Sequence, residues 1–104
     1  MNTEQVEGQL GEYKDKLVAI GVPIRGTCHM TFYGNLTISE NWESGDTFIL
    51  YSVRYWPDCD INFRAQDVMK ITQRNPIHDE HGVHASILLK TEDWMAEPNF
   101  HKML

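Results

Sequence analysis

Residues Thr47–Trp56 read TFILYSVRYW, a run so rich in β-branched and aromatic side chains that it reads as a strand and not a helix. Alternation gives it two unlike faces. Ile49, Tyr51, Val53 and Tyr55 make one unbroken apolar row, whereas on the other face Phe48 and Leu50 give way to Ser52 and Arg54 before Trp56. A strand with one side wholly apolar lies on a core, so this run is expected to be the central strand of a sheet.

The period of two extends on both sides. Upstream, Thr27 to Tyr33 alternates Cys28, Met30 and Phe32 with Thr27, His29 and Thr31. Gly34-Asn35 then reads as a two-residue hairpin turn leading into Leu36 to Ser39. Asn41 to Asp46, NWESGD, reads as a polar loop around Trp42 that delivers the chain into the central strand. Downstream, Pro57-Asp58-Cys59-Asp60 closes that strand's far end. Ile61 and Phe63 read as a short strand, Ala65-Gln66-Asp67 as a single turn, and Val68 to Thr72 as another strand. A polar loop, Asn75 to Gly82, precedes the alternating Val83, Ala85, Ile87 and Leu89.

Residues 3–20 carry a different period. Val6, Leu10, Tyr13, Leu17 and Ile20 fall on one helical stripe. Asn2 or Thr3 is placed to cap the helix, and Gly21 and Pro23 to stop it. Gly8 and Gly11 inside that span each cost about 1 kcal/mol relative to Ala, which fits either an exposed helix face or the close approach of another chain or strand. Beyond Lys90, Thr91 is placed to cap a short helix that Pro98 limits, and Phe100, Met103 and Leu104 read as docking side chains. The expected fold is therefore α+β, with residues 1–104 forming a single domain. An N-terminal amphipathic helix packs on a bent antiparallel sheet of five or six strands, a pattern that also admits a small, partly open barrel.

Composition narrows the function classes. The apolar share is 41%, the charged share 23% and the net charge −6, values of an ordinary globular chain that works against attraction to nucleic-acid phosphates or anionic lipid. MNTEQVEGQ at the start has neither a basic cluster nor an apolar stretch, so a cytoplasmic setting without membrane attachment is expected. Cys28 and Cys59 sit in or beside strand-like segments, where a buried thiol is the ordinary expectation and a disulfide is not implied. As nucleophiles they are poorly placed. His29 would point away from Cys28 in a strand, and Asp58 and Asp60 would suppress a Cys59 thiolate.

The carboxylate pairs Asp58/Asp60, Glu92/Asp93 and Glu40/Glu43 all occur in turn-like segments, where acids cap turns. No phosphate loop, nucleophile elbow or dinucleotide fingerprint occurs. His78, His81 and His84, spaced by three around Asp79 and Glu80, are of the ligand types that zinc or nickel takes. Such a site needs a remote residue such as His29 or His101 to complete it. Arg54, Arg64, Lys70 and Arg74 could line one face for nucleic acid if their strands are neighbours.

The leading expectation is a non-catalytic intracellular protein-binding module with no cofactor. It presents an acidic surface with aromatic anchors to a partner with a basic surface. Trp42 with Glu43 and Asp46, and Trp94 with Glu92 and Asp93, are the candidate contact residues, because Trp in a polar segment anchors interfaces; the other reading of Trp42 is a side chain folded back as a lid over the core. Small acidic chains of this kind are common among inhibitors, immunity proteins and adaptors of phages and mobile elements, an association and not a physical argument. A homo-oligomer is compatible with the same surface. The alternatives are a metal-binding module or metal-dependent enzyme using His78, His81 and His84, and a small-barrel nucleic-acid-binding protein.

Overall fold

The computed structural model describes residues 2–25, 28–55 and 59–90, the side chains of Arg25, Cys28 and Cys59 excepted. Asn2 caps the first helix, α1 (Thr3–Glu12), through a reciprocal pair. The Gln5 backbone N–H donates to Asn2 Oδ1 (2.9 Å), and the Asn2 N–H to Gln5 Oε1 (3.1 Å). Val6 and Leu10 are its buried residues. The helix ends at Glu12, well short of the expected Ile20. Asp15 takes a left-handed backbone conformation (φ 63°), and the chain then enters β1 (Leu17–Arg25).

Tertiary pairing overrides the helical spacing here. Val18, Ile20 and Val22 also alternate, and as a strand they place Val18 and Ile20 in the core at 0% exposure. Gly21 and Pro23, expected to stop a helix, lie inside β1. Pro23 is tolerated because it falls beyond Gly21, the last β1 residue paired with the strand on that side.

The remaining elements are β2 (Cys28–Glu43), β3 (Asp46–Tyr55), β4 (Cys59–Phe63), a 3₁₀ turn at Ala65–Asp67, β5 (Val68–Gln73) and β6 (Ala85–Leu89). Together the strands form one sheet in the order β4-β3-β2-β1-β6-β5. The α+β architecture of a helix on a bent six-stranded sheet holds, with two refinements. The sheet is mixed, because β1 and β6 run parallel. Among the described residues it is also open, with β4 and β5 as its two edges, and does not close into a barrel. The strand expected at the centre is β3, one place in from an edge.

Gly34-Asn35 is not a turn. β2 runs through it without a break in register, pairing Gly34 with Val18 and Asn35 with both Leu17 and Arg54. The glycine is there because β3 approaches closely: a Cβ at Gly34 would collide with the Arg54 carbonyl. The real hairpin turn is Ser44-Gly45, where both residues have positive φ (53° and 86°), as a two-residue type I′ connection requires. Asn41 to Glu43 and Asp46 therefore belong to strands and not to a loop.

Register assigns the faces. On the helix side lie Val18, Ile20, Leu36, Tyr51, Val53, Phe63, Val68, Ala85, Ile87 and Leu89, which with Val6, Leu10 and Ala65 make the core. Each fully buried aliphatic side chain among them contributes about 1.5–3 kcal/mol. The opposite face carries Thr31, Tyr33, Thr37, Ser52, Arg54, Asn62, Lys70, Thr72 and Ser86. Of the row expected to be core on β3, Tyr51 and Val53 are buried, Tyr55 is half-buried, and Ile49 is 38% exposed. Trp56 and everything after Lys90, including the helix expected after Thr91 and the docking residues Phe100, Met103 and Leu104, lie outside the described residues.

Candidate functional site

β2 is much longer than the strand beside it. Pairing with β1 ends at Leu17↔Asn35, and Leu36 is the last β2 residue met on that side: its N–H donates to the Lys16 carbonyl (3.0 Å) and its carbonyl accepts from the Asp15 N–H (2.7 Å). Seven more residues of β2 follow, about 24 Å of strand. They are paired only with β3 through a regular register that matches Glu40 with Ile49, Trp42 with Thr47 and Glu43 with Asp46. The result is a two-stranded extension carrying the apolar face past the end of the core.

Trp42 is 73% exposed on that extension, on the same face as Glu40, Ile49 and the half-buried Ile38. Glu43 and Asp46 close the hairpin on the opposite face. Two carboxylates directly across a ladder repel each other. Glu43 is met by Arg64, whose Nη2 lies 3.6 Å from Glu43 Oε2 while its guanidinium stacks 3.8 Å from the centre of the Phe48 ring. The structure thus brings Trp42, Glu43 and Asp46 together at one hairpin end. Trp94, Glu92 and Asp93 lie outside the described residues. Sequence reasoning missed Glu40 and Ile49 as neighbours of Trp42. The signal that finds them is the Ser-Gly turn, which fixes the register and sets Ile49 beyond the core.

A second concave surface lies on the polar face, where small residues of β1 and β6 meet longer ones on either side. Ala19, Gly21 and Ser86 form its floor. Lys70 and Arg74 stand on one side, His29 and Tyr33 on the other, and the half-open groove has a volume of ≈ 680 Å³. One wall is the loop between β5 and β6. Asp79 Oδ2 accepts the backbone N–H groups of His81 (2.9 Å) and Val83 (3.2 Å), and the Asn75 carbonyl accepts those of His78 (3.0 Å) and Asp79 (2.9 Å). Those two donated bonds, His81 first, hold the Asp79 carboxyl below the usual carboxylate range. The His81 ring rests on Tyr33 with centroids 4.3 Å apart.

His78 and His81 line this groove together with His29, whereas His84 lines a separate depression beside Tyr13 and Arg74. Among the described residues, no three His, Cys, Asp or Glu side chains gather as a metal-binding group. Asp58, Glu92, Asp93 and His101 are outside the description, as are the thiols of Cys28 and Cys59. Glu40 and Glu43 point to opposite faces of β2. The cations do not share one patch: Arg54 donates to Asp60 (3.2 Å) at the β4 edge, while Lys70 and Arg74 belong to the far edge at β5. Burial, and after it the nearby Glu7 charge, raises the hydroxyl pKa of Tyr51, and burial followed by Glu12 does the same for Tyr13.

No described helix is long and apolar enough to cross a membrane. Compared with family models, curated proteins and solved structures, the chain gives no match.

Proposed function

We propose that the protein is a non-catalytic binding module that grips a basic surface of another protein with the end of the β2–β3 hairpin. The observation that carries this reading is Trp42, 73% exposed beyond the core on a strand extension with Ile49 beside it. Leaving so large an apolar side chain in water is costly unless a partner covers it, and Trp is among the side chains that most often dominate interface energy. Glu40, Glu43 and Asp46 surround it with negative charge on both faces. Glu43 and Asp46 face each other across the ladder with Arg64 offsetting part of the repulsion at Glu43, and a basic partner would offset the rest. The cytoplasmic setting, and a role as inhibitor, immunity protein or adaptor, belong to this proposal and rest on the sequence reading.

The test is capture from the cell that produces the protein, using the full chain as bait. A protein recovered by the wild type should be lost at least about tenfold with Trp42→Ala, the effect of an anchor worth about 1.4 kcal/mol or more. It should also be weakened by Asp46→Lys. Equal recovery by all three baits contradicts the proposal.

A further inference from the structure

We infer that the outer edge of β2 between Ile38 and Trp42 receives an extended basic segment of the partner as an added β-strand, an inference that rests on the hairpin reading given above. Leu36 directs its N–H and C=O toward Lys16 and Asp15, on the β1 side. Direction alternates along a strand, so Ile38, Glu40 and Trp42 direct theirs the same way, past the point where β1 has turned off. Thr37, Ser39, Asn41 and Glu43 direct theirs at β3. Among the described residues nothing pairs with the outward set.

Exposed edges are normally blunted by Pro, charged side chains, a bulge or short length. Residues 37–43, TISENWE, contain no Pro or Lys, and the pairing with β3 is regular throughout; the two charges present, Glu40 and Glu43, are acidic, so they turn away an acidic strand and admit a basic one. On the polar face of the hairpin Arg64 lies over Phe48 and reaches Glu43, so that face is partly covered while the outer edge of β2 is left open among the described residues.

The side chains along that edge define the occupant. On the helix-side face an added strand meets Ile38, Glu40 and Trp42, and on the opposite face it ends beside Glu43. Apolar residues at its second and sixth positions and Lys or Arg at its centre and one end would match these. A second copy of this chain fits worse. Matching Ile38 of one copy with Trp42 of the other sets Glu40 against Glu40, between chains that each carry a net charge of −6.

The probe is a capped heptapeptide, Lys-Val-Thr-Lys-Thr-Val-Thr, titrated into the isotopically labelled full chain while amide exchange is followed residue by residue. The amides of Ile38, Glu40 and Trp42 should exchange fast in the free chain and slow on binding, and binding should fall with salt. Methylating the peptide nitrogens of its two Val and central Lys should weaken it at least about tenfold. Glu40→Pro should do the same relative to Glu40→Gln, because the nitrogen at that position faces outward and the β2–β3 ladder does not use it.

If the peptide fails to bind, or the methylated peptide binds equally well, the added-strand inference is overturned while the hairpin reading stands on its own test with Trp42→Ala. Protection of the same amides on raising the protein concentration alone would mean that the occupant is a second copy, which also overturns it.

Discussion

Gly34 is the residue at which one added carbon should cost the fold most. Its missing Cβ is what lets the Arg54 carbonyl approach, and neither backbone can move without breaking the pairing of β2 with β1 or β3. Gly34→Ala is expected to destabilise by about 3 kcal/mol or more, at the upper end of overpacking effects, read as a drop in melting temperature. A melt unchanged from wild type would mean the strands can shift. Trp42 is the opposite case: it lies outside the core, so Trp42→Ala should change stability by about 1 kcal/mol at most while removing partner capture. Asp79 gives the pH dependence. Its folded-state pKa lies below the ordinary value, so the stability it lends the loop is fully present above about pH 4 to 5 and is lost as pH falls through the folded pKa. The amide signals of His81 and Val83 should move in that acid range, and Asp79→Asn should weaken both bonds at neutral pH. Signals unaltered by either change contradict the assignment.

At the scale of elements, α1 and the β2–β3 hairpin show what was legible in the sequence and what was not. Asn2, Val6 and Leu10 gave the helix start and its buried stripe, and the alternation at 61–63, 68–72 and 83–89 gave β4, β5 and β6. The end of α1 was hidden because Val18 and Ile20 satisfy a helical and a strand pattern alike, and only pairing with β2 and β6 decides between them. Gly34-Asn35 and Ser44-Gly45 are both turn-like pairs on paper. The first is used for a close approach and the second for the turn, a choice set by long-range register. The exposure of Trp42 was legible from its polar neighbours, but Glu40 and Ile49 join it only once that register is known. The glycines of α1 read correctly as tolerated on an exposed face, since a Cβ at Gly8 or Gly11 meets nothing within 4 Å. Gly8→Ala should accordingly stabilise the protein by about 0.5–1 kcal/mol, measured by denaturant titration; a loss of stability would show that the helix face is covered. Replacing Asp46 with Thr should stabilise the hairpin by a few tenths of a kcal/mol, roughly the scale of one cross-strand pair, and weaken partner capture at the same time.

The whole molecule divides its sheet into one face that holds the fold together and one that stays polar. The hairpin carries a strip of the first face beyond the core. Because β4 and β5 are separate edges, the basic residues at 54 and 70–74 stay apart, and the histidines of the β5–β6 loop are divided between two depressions. Zinc at equimolar ratio is expected to leave the melting temperature unchanged. A rise reversed by a chelator would instead make that loop a metal site. Two surfaces are open to a partner, the end of the β2–β3 hairpin and the groove on the polar face. Hydrogen exchange of the full chain, free and with its captured partner, decides between them directly. Protection is expected across residues 37–50 with the groove residues of β5 and β6 unaffected. Protection at Lys70, Thr72 and the 78–82 loop with the hairpin unchanged would contradict the hairpin reading.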